Sequence, residues 1–268
     1  MQALLVVCAN RWNRATSPED LVSAVPGMGM LRASHFADAL RAAEATAAQR
    51  RQRSITLTGN LEADATGLRQ LVLKRTNSNF SNAVQALEKK LPKPESHYRC
   101  WVRILGLCER KTRKLILAPI PDKVVTLKAK PPPESKQEIE ESGLLQHIRR
   151  PAKVYSDGAL SWPPVLRARN LPFAETCHQN HQYTKELAGG SRKFSKLAGT
   201  QCLDRRWGVL CNDYVPKTLN AKSRNEDGSH TNARLFTYSW SFALRYNFTD
   251  HERVRLWAAL GKAVREAA

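Results

Sequence analysis

Along the chain, apolar and polar positions alternate with the two periods of regular structure. From Pro18 to Arg53 the spacing is helical, clearest in the Ala- and Arg-rich stretch from Phe36 to Gln49 and broken upstream by Pro26-Gly27 and Gly29. This predicts one or two leading helices. Ile55 to Gly59 and Leu61 to Leu68 read as extended. Leu71 to Leu91 then reads as helical and polar until Pro92 and Pro94 end it. The spacing thus predicts a helical insertion over 67–97, between strands. Two strong strand signals follow, Tyr98 to Leu107 and Lys114 to Ile120, joined by the polar Glu109 to Arg113 as a hairpin.

After Pro131-Pro132-Pro133, Glu134 to Ile148 has the period of an amphipathic helix, and Ala152 to Ser156 is a short strand ending on Asp157-Gly158. A short helix (Val165 to Arg169), a strand (Phe173 to Cys177), a basic loop and a helix from about Gln201 to Tyr214 come next. Helices over Ala233 to Tyr246 and His251 to Ala267 close the chain, behind a polar loop from Asn220 to Ser229. Helices crossing between strands imply a mixed sheet covered by helices, the α/β class.

Charge changes the picture of the partner. The 268 residues, 42% of them apolar, suffice for one main domain with additional segments, and 43 Lys+Arg against 24 Asp+Glu give a net charge of +19. Such an excess favours a polyanion, nucleic acid before membrane. It does not separate an enzyme from a basic RNA-binding or ribosome-associated protein. Cys8, Cys100, Cys108, Cys177, Cys202 and Cys211 are scattered, without a zinc-type pair or a secreted-scaffold framework, which suits reduced thiols inside a cell. Leu4 to Ala9 lacks the flanks of a signal peptide, and no apolar run approaches the ~20 residues that span a bilayer. The expected location is nucleus or cytoplasm, not secreted.

Three acids fall where the expected sheet would gather them: Asp64 in the first strand, Asp157 where a later strand turns at Gly158, and Asp204 early in a helix. Ligand sites in open α/β sheets form at the carboxyl ends of strands. Phosphodiester chemistry uses hard cations about 4 Å apart held by oxygen ligands, so three converging carboxylates would hold Mg²⁺ or Mn²⁺. Each acid also has a plainer reading. Asp157 before Gly158 suits a turn, and Asp204 suits the first turn of a helix dipole. Asp64 is different, because Glu62 and Asp64 share one strand face, where carboxylates are costly unless matched.

The motifs around these acids resemble the insertion-sequence transposases of the ISXO type. Leu61-Glu62-Ala63-Asp64-Ala65-Thr66 is similar to that family's first acidic strand, with Ala65 in place of a second Glu. Trp101 to Arg110 is similar to its Trp/Val-rich strand ending in Gly and Glu-Arg, and Val154-Tyr155-Ser156-Asp157-Gly158 to its second acidic turn. Thr200-Gln201-Cys202-Leu203-Asp204-Arg205-Arg206-Trp207 follows its last motif, with Gln201 for Asn and Asp204 for Glu. Phe242 to Asn247 is similar to its closing helix.

The resemblance implies an RNase H-like, five-stranded mixed sheet over 55–248, flanked by a helical, partly disordered segment over 1–54 and a C-terminal helix over 249–268. It implies a DDE-type catalytic triad of Asp64, Asp157 and Asp204 that binds metal and cleaves and joins DNA, with Trp207 packing its helix on the sheet. It also implies a loop histidine, His178 or His181, although a surface loop residue is the plainer reading of each, and a homo-oligomer. Because Asp204 is one methylene shorter than Glu, the implied protein is either an active enzyme or a catalytically inactive, transposase-derived DNA-binding protein. Arg149, Arg150, Lys153, Arg192, Lys193, Lys196, Arg205 and Arg206 lie near Asp157 and Asp204 in sequence, together with Arg167 and Arg169. They read as a cationic rim that draws phosphates toward the acids, or as solvated faces.

Overall fold

The computed structural model describes residues 17–175, 200–221 and 232–247, with Glu252 and Arg255 beyond them. The chain is an α/β protein whose mixed sheet carries helices on both faces. Strands β1 (Asn60–Lys74), β2 (His97–Glu109), β3 (Leu115–Thr126), β4 (Lys153–Ser156) and β5 (Phe173–Glu175) lie in the order β3-β2-β1-β4-β5. The first three form an antiparallel meander, and β4 and β5 add in parallel beside β1.

Alternation along β1 explains the two layers. Leu61 and Ala63 face a core built with Leu105, Leu107 and Ile116 beneath α4 (Lys136–Glu141) and α5 (Trp162–Ala168). The opposite face of the sheet, with Ile104, Cys108 and Leu117, packs against α2 (Met30–Arg53), α6 (Gln201–Gly208) and α7 (Ala233–Asn247). A shorter helix, α1 (Pro18–Ala24), starts at a capping box between Ser17 and Asp20 and packs on α2 through Leu21, Ala33 and Ala37. No helix among the described residues is long and apolar enough to cross a membrane.

Several sequence expectations change. The helical insertion over 67–97 is mostly strand: β1 runs on to Lys74, pairing Leu71 with Cys100 and Leu73 with Tyr98, and only α3 (Ser81–Glu88) is α-helical in the connection. Cross-strand burial of Leu73 with Tyr98 and Cys100 outweighs the helical spacing read there. The helix expected over Glu134 to Ile148 stops at Glu141 and resumes as a 3₁₀ turn over Leu144–His147, because Gly143 adopts φ +73°. The helix expected to Tyr214 is α-helical only to Gly208 and widens beyond it, where Val209–Tyr214 is π-helical. Residues 1–16, the basic loop with His178, His181, Arg192, Lys193 and Lys196, and the helix expected from His251 to Ala267 lie outside the described residues, apart from Glu252 and Arg255.

Candidate active site

The site arises where β4 stops. β4 pairs with only Asn60, Leu61 and Glu62 of β1, whereas β1 continues to Lys74, so the β1 edge beyond this point is not covered by β4. Extending the parallel register from Glu62↔Tyr155 sets Asp157 beside Asp64. The chain turns away at Gly158, φ +91°, and the backbone N–H of Ala159 donates to Asp157 Oδ1 at 3.2 Å. Asp157 is therefore both the turn residue and a carboxylate presented at the carboxyl end of a strand.

A cleft of about 510 Å³ opens at this edge, lined by Asp64 to Gly67, Lys130 to Glu134, and Asp157 to Ala159. Glu134 brings a third carboxylate that the sequence reading did not single out. It is buried, it accepts from the indole N–H of Trp162, and its carbonyl accepts from Ser161 Oγ at 2.8 Å. The only signal for it was its place after three prolines, which read as punctuation. Burial raises the Glu134 carboxyl above the usual range and the negative charge of Asp157 adds to this, against its own backbone N–H, Trp162 and Arg103.

Asp64 is held from the other side. The indole Nε1 of Trp207 donates to Asp64 Oδ2 at 2.8 Å. Gly106 pairs with Asp64 in register, and a Cβ there would meet Trp207 Cη2 at 2.6 Å, so the ring reaches Asp64 only because position 106 is glycine. The expected packing role of Trp207 is present, and the bond to the first acid adds to it. Asp64 lies well above the ordinary carboxylate range. Burial is the largest cause, the charges of Asp157 and Glu134 follow, the Trp207 hydrogen bond opposes them, and Asp204 contributes last.

Glu62, two residues before Asp64 on the same strand face, matches its cost in a different way. Its Oε1 accepts from Arg110 Nε at 2.8 Å, and its Oε2 accepts from the backbone N–H of Leu203 at 2.9 Å. That N–H belongs to the first turn of α6, where a helix has unsatisfied donors and where Thr200 supplies no side-chain cap. Thr200 Oγ1 instead donates to Asp204, 3.4 Å from Oδ1 and 3.3 Å from Oδ2. Asp204 is exposed, on the same helix side as Trp207 three residues later.

The carboxylates of Asp64 and Asp157 are thus brought together, with Glu134 in their cleft and Asp204 within electrostatic reach of Asp64. Among the described residues, no three His, Cys, Asp or Glu side chains already form a group arranged to hold a metal ion. The donor set nevertheless fits a hard cation: oxygen ligands only, with mutual repulsion that a cation would relieve.

The basic residues are placed differently from the expected rim. Lys153 opens β4 and Asp157 follows its end. Lys153 therefore stands at the opposite end of the strand from Asp157, about 13 Å away at ~3.3 Å per residue, and Arg149 and Arg150 precede it in the chain. All three are exposed; Arg150 Nη2 donates to Asn170 O at 3.1 Å, and Arg149 to the carbonyls of Gln146 and Ile148. Arg205 is exposed on α6, but Arg206 is not a surface residue. It is 5% exposed, bonded to Cys108 Sγ and to Arg113 O, and stacked on Tyr246, so its charge is used inside the fold.

Compared with protein-family models, with curated proteins and with solved structures, the chain matches none. Fold and site together define an α/β protein with an acidic cleft at the carboxyl end of a parallel strand pair.

Proposed function

We propose that the chain is a DDE-type, transposase-like protein of RNase H-like fold that cleaves DNA phosphodiesters and transfers strands with Mg²⁺ or Mn²⁺. The observation that carries this reading is that Asp64 and Asp157 line one cleft beyond the end of β4, close enough for their charges to act on each other, beside a helix that carries Asp204 and is tied to Asp64 through Trp207. The strand order and the antiparallel-then-parallel pairing also support it.

Asp64, Asp157 and Asp204 would hold the cations, which when bound polarise the phosphodiester and activate the attacking water or 3′-hydroxyl. Trp207 fixes the rotamer of Asp64 through Oδ2 and leaves Oδ1 for a ligand. The Ala159 N–H fixes Asp157 in the same manner through Oδ1. Burial and neighbouring carboxylates favour the protonated form of Asp64, so a cation held there would compete with that proton for the carboxylate.

Nicking of supercoiled plasmid in Mg²⁺ and in Mn²⁺ tests the reading, with Asp64→Asn and Asp157→Asn as variants. Metal-dependent nicking abolished in both variants is the expected result. Salt-sensitive DNA binding without nicking in any metal would instead favour a catalytically inactive DNA-binding protein. That second reading is supported by Asp204, whose short side chain is exposed and engaged with Thr200. The active form is proposed to work as a homo-oligomer, as the resemblance implies.

A further inference from the structure

We propose that Lys130 anchors a phosphate of the DNA strand that lies in the acidic cleft, on a wall prebuilt for it by the buried Arg103. The inference rests on the phosphodiester-processing reading and deepens it. A phosphate brought to Asp64, Asp157 and Glu134 meets three carboxylates, and their repulsion must be offset by a cation that faces the same space. Two cationic side chains line the cleft, Arg103 and Lys130.

Arg103 is not free for this work. It is 1% exposed, and its Nη2 donates to Pro121 O at 3.0 Å and to Glu138, while Nη1 reaches the carbonyls of Pro132 at 3.3 Å and Pro133 at 3.4 Å. Lys123 Nζ adds a bond to Pro133 O at 3.0 Å, and Ser161 Oγ holds the Glu134 carbonyl. Three consecutive prolines have fixed φ and no N–H groups of their own. With their carbonyls drawn inward by Arg103 and Lys123, the strap over Pro131, Pro132 and Pro133 becomes a stiff wall instead of a floppy loop.

Lys130 stands at the head of that wall, exposed and without an ion pair among the described residues. Opposite it the floor is small: Ala65, Thr66 and Gly67 follow Asp64 along the uncovered β1 edge. Gly67 is tight against Trp101, where a Cβ would come within 2.7 Å of Cε3, and Pro131 Cγ would be 3.5 Å away. The cleft therefore runs as a trough from the paired acids to Lys130, acidic at the reacting end and cationic at the other. A single strand lying in it would have one phosphate at Asp64 and Asp157 and a neighbouring phosphate near Lys130.

The test is binding of a short fluorescein-labelled DNA duplex with a single-stranded end, followed by anisotropy over a series of salt concentrations in EDTA. The 268-residue chain is compared with Lys130→Ala, Lys130→Arg and Lys89→Ala, an exposed lysine at the end of α3 that does not line the cleft. Loss of one phosphate contact reduces the slope of log K against log salt by about one. The expected result is that reduction in Lys130→Ala alone, with Lys130→Arg keeping the wild-type slope. A wild-type slope in Lys130→Ala, with DNA still bound, overturns the anchor and leaves the proposed reaction to the nicking assay. A wild-type chain that binds no DNA at any salt overturns both.

Discussion

The indole Nε1 of Trp207 and the Oδ2 of Asp64, 2.8 Å apart, join helix α6 to the central strand at a carboxylate whose ionisation is opposed by burial and by the neighbouring acids. Trp207→Phe removes the donor while keeping most of the ring. It is expected to lower stability by about 2 kcal/mol, from the lost hydrogen bond and the vacated volume. The Asp64 carboxyl should move further up, since the bond to Trp207 is what lowers it. Urea unfolding gives the first quantity and carboxyl NMR titration the second; an unmoved Asp64 would break the link.

Gly106 should tolerate no side chain. A Cβ placed 2.6 Å from Trp207 Cη2 must push the indole from Asp64 or the helix from the sheet. Overpacking of this kind costs about 1–3 kcal/mol. Gly106→Ala is expected to lower the urea midpoint and shift tryptophan emission, and the double variant with Trp207→Phe should recover part of the loss. Equal losses in both backgrounds would show that the clash lies elsewhere.

The pH dependence of stability has a definite sign. The carboxyl of Asp64 is raised in the folded protein, so between the ordinary carboxylate range near pH ~4 and its raised value the folded state holds a proton that the unfolded chain has lost. Stability contributed by Asp64 is therefore full at the acid end of this window and falls as pH rises through it. Asp64→Asn retains an acceptor for Trp207 without the charge. Its stability advantage over the wild type should grow across the window and then level off. A constant difference from acid to neutral pH would contradict the assignment.

Glu62 is expected to be the costliest single truncation in the site. It is buried, it pairs with Arg110, and from β1 it caps the first turn of helix α6. Glu62→Ala leaves Arg110 and the Leu203 N–H without it, and breaking a buried pair costs about 3–5 kcal/mol. Glu62→Gln, which keeps an acceptor, should lose less. Urea midpoints of the two variants check the order.

Much of this was readable in the sequence where the signal was local. The hairpin of β2 and β3, the turn at Asp157-Gly158 and the helix carrying Asp204 come from alternation, turn chemistry and apolar spacing, all of which act over a few residues. The far half of β1 was misread because Leu71 and Leu73 owe their strand conformation to Cys100 and Tyr98, distant in the chain. Glu134 was missed for the same reason: its meaning lies in Trp162 and in the end of β4, not in its neighbours. Arg206 looked like surface charge because a charge in sequence carries no sign of burial, and only Cys108, Arg113 and Tyr246 reveal its use.

The two anchors on β1 also act as a ruler. Glu62 and Asp64 are two strand residues apart, about 6.7 Å, and their partners Leu203 and Trp207 are four helix residues apart, about 6 Å. Strand and helix advance in step over this distance, so α6 cannot slide by a turn without losing both bonds. Asp204 lies between the two fixed points, and its distance from Asp64 is thereby set by backbone geometry. A one-residue insertion between Leu203 and Trp207 would leave every acid in the chain and still put the site out of gauge.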